Sequence, residues 1–204
     1  MSVHEPSCEQ LMSAYVDGDL SAFEALFARH RRSLFHWILS RVESRAVAED
    51  LFQEAFLRVV RRRSEYRASG AFQAWLFTIA RNVLMDHYRR TGRRSEGHTS
   101  RDAEAGTEGR PESIPDASPE VDPARRGQAL ELGERIEAAL RLLPEEQRDV
   151  FLLREVGGLD FKGIAEVVGC ALPTAKSRMR YALAALRSRL VPVLDATEGD
   201  HGSL

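Results

Sequence analysis

Apolar residues recur three and four positions apart through both ends of the chain, and no segment shows the period-two alternation of a half-buried strand. The pattern predicts an all-α protein. In the first part, Leu20-Ser21-Ala22 opens a segment with Phe23, Leu26, Phe27, Leu34, Trp37 and Ile38 on one stripe. A second stripe runs Val47, Leu51, Phe52, Ala55, Phe56, Val59, Val60, and a third runs Phe72, Trp75, Leu76, Ile79, Val83. Burying a large apolar side chain contributes ~1.5 to 3 kcal/mol, so three or four packed helices can offset the chain entropy of one small domain.

Helical spacing returns at Leu132, Ile136, Ala139, Leu140 and Leu143. Pro144 stops that helix and opens the next, which runs to Val156 before Gly157-Gly158. A short helix from Phe161 to Val168 follows, then a longer one from about Pro173 to Leu190 with Ala175, Met179, Ala182, Leu183, Leu186 and Leu190 inward. Between Ser95 and Pro123 there is no Phe, Trp or Tyr, and Gly, Ser, Glu and Pro dominate. Such a segment has too little apolar surface to fold. The expected organisation is therefore a helical domain over 1–94, a flexible acidic linker over 95–124 and a small four-helix domain over 125–204. A flexible coil of that length has a root-mean-square span of ~30 Å and stretches to ~100 Å at ~3.3 Å per residue.

Composition narrows the function classes. The net charge of the 204 residues is −2, which excludes a uniformly basic coat. The average hides an asymmetry: residues 1–95 carry +4, residues 96–124 carry −6, and the remainder is neutral. The two cysteines, Cys8 and Cys170, form no Cys-x-x-Cys pair, so neither a disulfide framework nor a thiolate zinc cage is written here, and a reducing compartment fits. No stretch approaches the ~18 to 20 apolar residues of a membrane span. Glu5 and Glu9 stand where a signal peptide would be basic and then apolar. The expectation is a cytoplasmic protein without cofactor, metal or membrane contact.

Three constellations carry chemistry. From Phe161 to Arg178, small Ala165, Gly169, and apolar Ile164, Val168, Leu172, Ala175 and Met179 match two helices crossing at a tight turn, a helix-turn-helix. Gly169 can take the positive φ that ends the first helix, and Pro173 fits the first turn of the second. The outward face then shows Thr174, Lys176, Ser177, Arg178, Arg180 and Tyr181, groups able to bind phosphate and read base edges. A helical hairpin with a solvated basic face meets the same spacing. The second constellation joins Arg58, Arg61, Arg62, Arg63 and Arg67 to the helix bearing Trp75, Arg81, Asn82, Asp86, Arg89 and Arg90. Cations beside aromatics and an amide suit single-stranded DNA. Equally, Trp75 can be core and Asp86 paired with Arg89 or Arg90. In the third, Leu51, Ala55 and Phe56 face inward and leave Asp50, Gln53 and Glu54 on an outward patch. That patch is either a solvated face or a site for a basic protein partner.

The order Glu49-Asp50-x-x-Gln53-Glu54-x-Phe56, then Trp75-Leu76-x-x-Ile79-Ala80-Arg81-Asn82-x-x-x-Asp86-x-x-Arg89-Arg90, then Leu143-Pro144-x-x-x-Arg148-x-Val150-Phe151-x-Leu153 with Ile164-Ala165 and Thr174-x-Lys176-Ser177-Arg178, resembles the extracytoplasmic-function (ECF) sigma factors of bacterial RNA polymerase. The resemblance implies a non-enzymatic promoter-specificity factor, the first domain corresponding to sigma region two and the second to region four. It puts Asp50, Gln53 and Glu54 on the β′ clamp helices of core RNA polymerase, with the β subunit as a further contact. Tyr66 to Ala71, with Arg81 and Asn82, fall where the family opens the −10 element and captures a flipped base of the melted strand. Arg61, Arg62, Arg63, Arg67, Trp75, Arg89 and Arg90 complete that surface. Thr174, Lys176, Ser177, Arg178, Arg180 and Tyr181 fall on the helix that reads the −35 duplex. An anti-sigma factor is the usual family control.

One departure concerns the helix entering the turn. Asp160 keeps the cap, but Gly163 stands where the family carries the reciprocal acid. Gly in a helix costs ~1 kcal/mol relative to Ala, so spacing alone predicts that Gly163→Glu raises thermal stability. Two rivals remain in view: an enzyme such as a serine recombinase, for which no catalytic α/β pattern is visible, and a two-domain helix-turn-helix regulator that binds duplex DNA without polymerase.

Overall fold

A computed structural model describes residues 5–42, 44–67, 71–92, 133 and 135–198, with side chains placed through residue 190. The expected linker over 95–124 lies outside the described residues. Among the described residues eight helices follow in chain order: α1 (Cys8–Val16), α2 (Leu20–Leu39), α3 (Arg45–Arg61), α4 (Phe72–Thr91), α5 (135–141), α6 (Glu145–Glu155), α7 (Phe161–Val168) and α8 (Leu172–Glu198). A 3-10 turn, Arg63–Glu65, follows α3, and no strand occurs among the described residues. Contacts divide the chain into two compact units, Met1–Glu96 with Leu152–Ala175, and Gly97–Phe151 with Lys176–Leu204.

Helix α1 is an addition to the sequence reading. Its start is a reciprocal capping box: the Gln10 N–H donates to the Ser7 hydroxyl at 3.2 Å, and the Ser7 N–H donates to the Gln10 side chain at 2.8 Å. The helix buries Leu11, Met12 and Tyr15 and packs on α2. Asp19 caps α2 by accepting the Ser21 N–H at 2.9 Å, and the Ser21 hydroxyl holds its carboxyl below the usual range.

The core of the first unit follows the expected stripes at Leu26, Leu34, Trp37, Ile38, Leu76 and Val83, all buried, and adds Met12 and Phe77, which those stripes left out. Phe23, Phe27 and Phe52 are half-buried instead of sunk, and with Phe35 and Phe56 they form an aromatic rim with centroids 4.8 to 6.5 Å apart. Helix α4 is fastened at both ends. The Glu9 carboxylate accepts the Phe72 N–H at 3.2 Å, and the Tyr88 hydroxyl donates to the Arg41 carbonyl at 2.6 Å.

Within the same unit α7 packs on α4. Asp160 caps α7 by accepting the Gly163 N–H at 2.7 Å, and Gly169 ends it at φ 69°, as the turn requires. Gly163 does not face solvent: a Cβ there would stand 3.2 Å from Asp160 Oδ1 and 3.3 Å from Ala74 Cβ. In the second unit Ala139, Leu143, Ala182 and Leu186 form the core, flanked by Leu140, Phe151, Ala185 and Leu190. Leu183, expected inward, is 48% exposed, because Ala182 takes the core side of that turn.

Two stability predictions follow from these contacts. The expectation for Gly163→Glu is reversed: the side chain has to displace Ala74 or bury its charge, so the melting temperature falls by roughly 2 to 8 °C. A calorimetric scan showing an unchanged or higher midpoint would restore the capping argument. His30 is 4% exposed, 3.2 Å from Cys8 Sγ, with its ring on Phe72. Burial first, and the Arg29 cation second, push its pKa below the usual histidine value, against the opposing pull of Glu9. The unfolded chain therefore takes up a proton near pH ~6.5 that the folded chain refuses, and stability declines as pH falls below that value. His30→Gln should flatten the urea midpoint between about pH 6.5 and 5; an unaltered slope would remove His30 as its source.

Candidate nucleic-acid interface

Helix α3 turns Ala48, Leu51, Ala55 and Val59 into the core. The opposite face carries Asp50 and Gln53, both exposed, and half-buried Glu54. These sit three and four residues apart, so they form one patch. Seven residues beyond Asp50 on the same face is Leu57, 49% exposed. Sequence reasoning passed over this apolar member, although the seven-residue step was visible.

Glu54 is not a free acid. It accepts the Arg58 Nε at 2.8 Å, Arg58 Nη1 donates to Asp86 of α4 at 2.7 Å, and Asp86 also pairs with Arg89. The Glu54 and then the Asp86 hydrogen bonds raise the Arg58 pKa, and the Arg58 hydrogen bond is the largest influence holding the Asp86 carboxyl below its usual range. Arg58 therefore ties α3 to α4, unlike the arginines that follow it. Arg61, Arg62, Arg63 and Arg67 are exposed, the first three at or just past the C-terminus of α3, where a cation is favoured by the helix dipole. Arg63 lies over the Tyr15 ring at 5.7 Å. Arg58, Asp86, Arg89 and Arg90 line an open cleft of about 300 Å³.

Along α4, Trp75, Asn82 and Arg89 are spaced seven apart, nearly two full turns each, and so share one stripe. Trp75 is half-buried: its ring stands edge-on to Tyr66 at 5.3 Å and 6.1 Å from Phe72. Asn82 and Arg90 are exposed, and Arg81 is half-buried. The stripe thus places an aromatic surface, an amide and cations in line. Such a surface can hold an unstacked base and its phosphates.

On α8, Ala175, Met179, Ala182 and Leu186 point inward. Lys176, Arg180 and Tyr181 are exposed, Thr174 and Ser177 half-buried. The Arg180 guanidinium lies 5.2 Å from the centroid of the Tyr181 ring. Arg178 is already engaged, donating to Glu146 at 2.5 Å with 21% of its side chain exposed. Glu146 lies 32 residues away, so spacing could not foresee the pair.

Among the described residues, no group of three or more His, Cys, Asp or Glu is placed to hold a metal, and no helix is long and apolar enough to cross a membrane.

Comparison with known proteins agrees with this geometry. The Sigma-70 region 2 family matches residues 26–94, and the Sigma-70 region 4 family matches residues 133–186. The chain is 32% identical to the RNA polymerase sigma-H factor of Pseudomonas aeruginosa over 91% of its length and 95% of that protein's. It is also 32% identical to the ECF RNA polymerase sigma factor SigM of Mycobacterium tuberculosis, over 94% of this chain and 88% of that one. Among solved structures it resembles CnrH, determined in complex with the cytosolic domain of CnrY, at 25% identity and a TM-score of 0.62, covering 94% of this chain and 99% of that one. The chain belongs to the extracytoplasmic-function sigma factors of bacterial RNA polymerase.

Proposed function

We propose a division of labour among the named surfaces of this sigma factor. Residues 1–94 dock on core RNA polymerase through Asp50, Gln53 and Glu54, whose carboxylates suit a basic partner helix. Trp75, Arg81 and Asn82 hold the melted −10 strand, and Arg61, Arg62, Arg63, Arg67, Arg89 and Arg90 neutralise its phosphates. Residues 125–204 read the −35 duplex with Thr174, Lys176, Ser177, Arg178, Arg180 and Tyr181, and residues 95–124 span the distance between the two readings. An anti-sigma factor controls the protein by covering these faces, and the chain works in the cytoplasm, where polymerase meets its template. It contributes binding energy and leaves catalysis to the polymerase.

The observation that carries this reading is the α4 stripe: an exposed amide and cations in line with an aromatic edge, on a helix otherwise committed to the core. A duplex-binding regulator needs the α8 face alone and has no use for that stripe. The presence of region 2 together with region 4 favours the sigma reading as well.

Run-off transcription separates the roles. On a promoter selected by the holoenzyme from a random duplex library, transcript should require both core polymerase and this chain. Asn82→Ala and Arg178→Ala should each reduce output by roughly five- to hundred-fold, the loss expected for one base contact of ~1 to 3 kcal/mol. Arg62→Ala should weaken binding evenly across promoters and lower the salt slope of log K by about 0.7 to 0.9. Binding of the isolated chain to its promoter with full affinity, and no stimulation by polymerase, would support the regulator reading instead.

A further inference from the structure

The start of α4 lacks a local cap. Its N-cap residue is Ala71, which has no side-chain acceptor, so the first N–H groups of the helix depend on something else. That acceptor is Glu9, 63 residues earlier, whose Oε1 lies 3.2 Å from the Phe72 nitrogen. A carboxylate at this end of a helix is favoured by the helix dipole as well as by the hydrogen bond. Glu9 is itself held in the first turn of α1 by the Ser7–Gln10 box beside it. Arg29 of α2 secures the preceding segment, donating to the Pro6 carbonyl at 2.7 Å and pairing with Glu5 at 3.3 Å.

The same helix reaches the other edge of the segment before α4. Tyr15 of α1 lies under the Arg63 guanidinium in the 3-10 turn, and α1 touches both that turn and α4. Tyr66 then packs on Phe72 and Trp75, with centroids 6.1 and 5.3 Å apart, and Phe72 packs on buried His30 at 5.4 Å. The protonation state of Glu9 agrees with a working acceptor. Burial alone would raise its pKa, but its own N–H, the Phe72 N–H and the Ser7 hydroxyl outweigh that and hold the carboxyl below the usual range. Its negative charge adds to burial in pushing the Tyr66 phenol up. Glu9 and the rest of α1 lie outside the matched region 2, which begins at residue 26, whereas the residues they hold lie inside it.

We propose that Glu9 is a positioning residue for capture of the melted −10 strand: by capping α4 from α1 it fixes the start of the helix, so that Tyr66, Trp75 and Asn82 stand aligned before the strand arrives. This rests on the role given above to the α4 stripe. Aligning the surface in advance removes an ordering cost from strand capture, so losing the cap should weaken capture and leave polymerase docking on α3 untouched.

The test uses the full chain assembled with core polymerase, on the promoter selected from the random library, with permanganate reactivity of unpaired thymines as the readout of strand opening. Glu9→Ala should lower the open fraction by about two- to thirty-fold, the range spanned by loss of one helix cap. Its affinity for core polymerase, read by fluorescence anisotropy, should equal that of the parent. Glu9→Gln keeps an oxygen at the same place and should restore opening to within about threefold of the parent, since the neutral amide still accepts the N–H but lacks the charge. Normal opening by Glu9→Ala would overturn the proposal. So would losses of opening, polymerase affinity and melting temperature that rise and fall together, or a failure of Glu9→Gln to restore opening. Asn82→Ala, run in parallel, separates the two readings: if it too opens normally, the stripe is misassigned; if it alone is defective, only the role of Glu9 falls.

Discussion

Helix α4 keeps Asn82 exposed while Leu76, Phe77, Ile79, Ala80, Val83 and Leu84 are sunk on its other faces, and the proposed strand-binding stripe depends on that packing. A helix gripped on so many sides cannot roll, and the angular position of Trp75, Asn82 and Arg89 is set by that grip. The further restraints act along the same helix. Glu9 holds its first N–H, Tyr88 ties its last turns to Arg41, and Arg58 draws Asp86 toward α3. Precision at the stripe is thus a consequence of core packing, assisted by a few hydrogen bonds at the ends.

The ion chain Glu54–Arg58–Asp86–Arg89 adds a second level. It joins the face assigned to polymerase with the face assigned to DNA, through groups only partly shielded from water. Pairs this exposed contribute about 1 kcal/mol or less each, so they orient side chains more than they stabilise the fold. On α8, Arg178 follows the same logic, since its guanidinium is held by Glu146, and the proposed contact with DNA requires it to exchange partners.

Much of the architecture was legible because helical periodicity reports burial directly. The stripes of α2, α3 and α4, the turn at Gly169 and the Asp160 cap were all readable from spacing. Helix α1 was not, since its nine residues carry only three buried side chains. Leu183 was misjudged because positions 182 and 183 fit a 3.6-residue period almost equally, and packing chose the smaller Ala182. Gly163 was misjudged because its neighbour, Ala74, lies far away in sequence. The candidate site divides the same way: Asn82 and the arginine series were visible in the chain, whereas the pairing of Arg58 with Asp86, of Arg178 with Glu146 and of the Phe72 N–H with Glu9 was set by tertiary contacts.

The central claim is that α4 meets a melted strand only inside the polymerase complex. A photo-crosslinking side chain introduced at position 82 of the full chain tests it most directly. The account predicts crosslinks to the non-template strand of the −10 element when core polymerase and promoter are both present, and none when the polymerase is left out. Crosslinking to duplex DNA without polymerase, or to core polymerase alone in the complete complex, would contradict it.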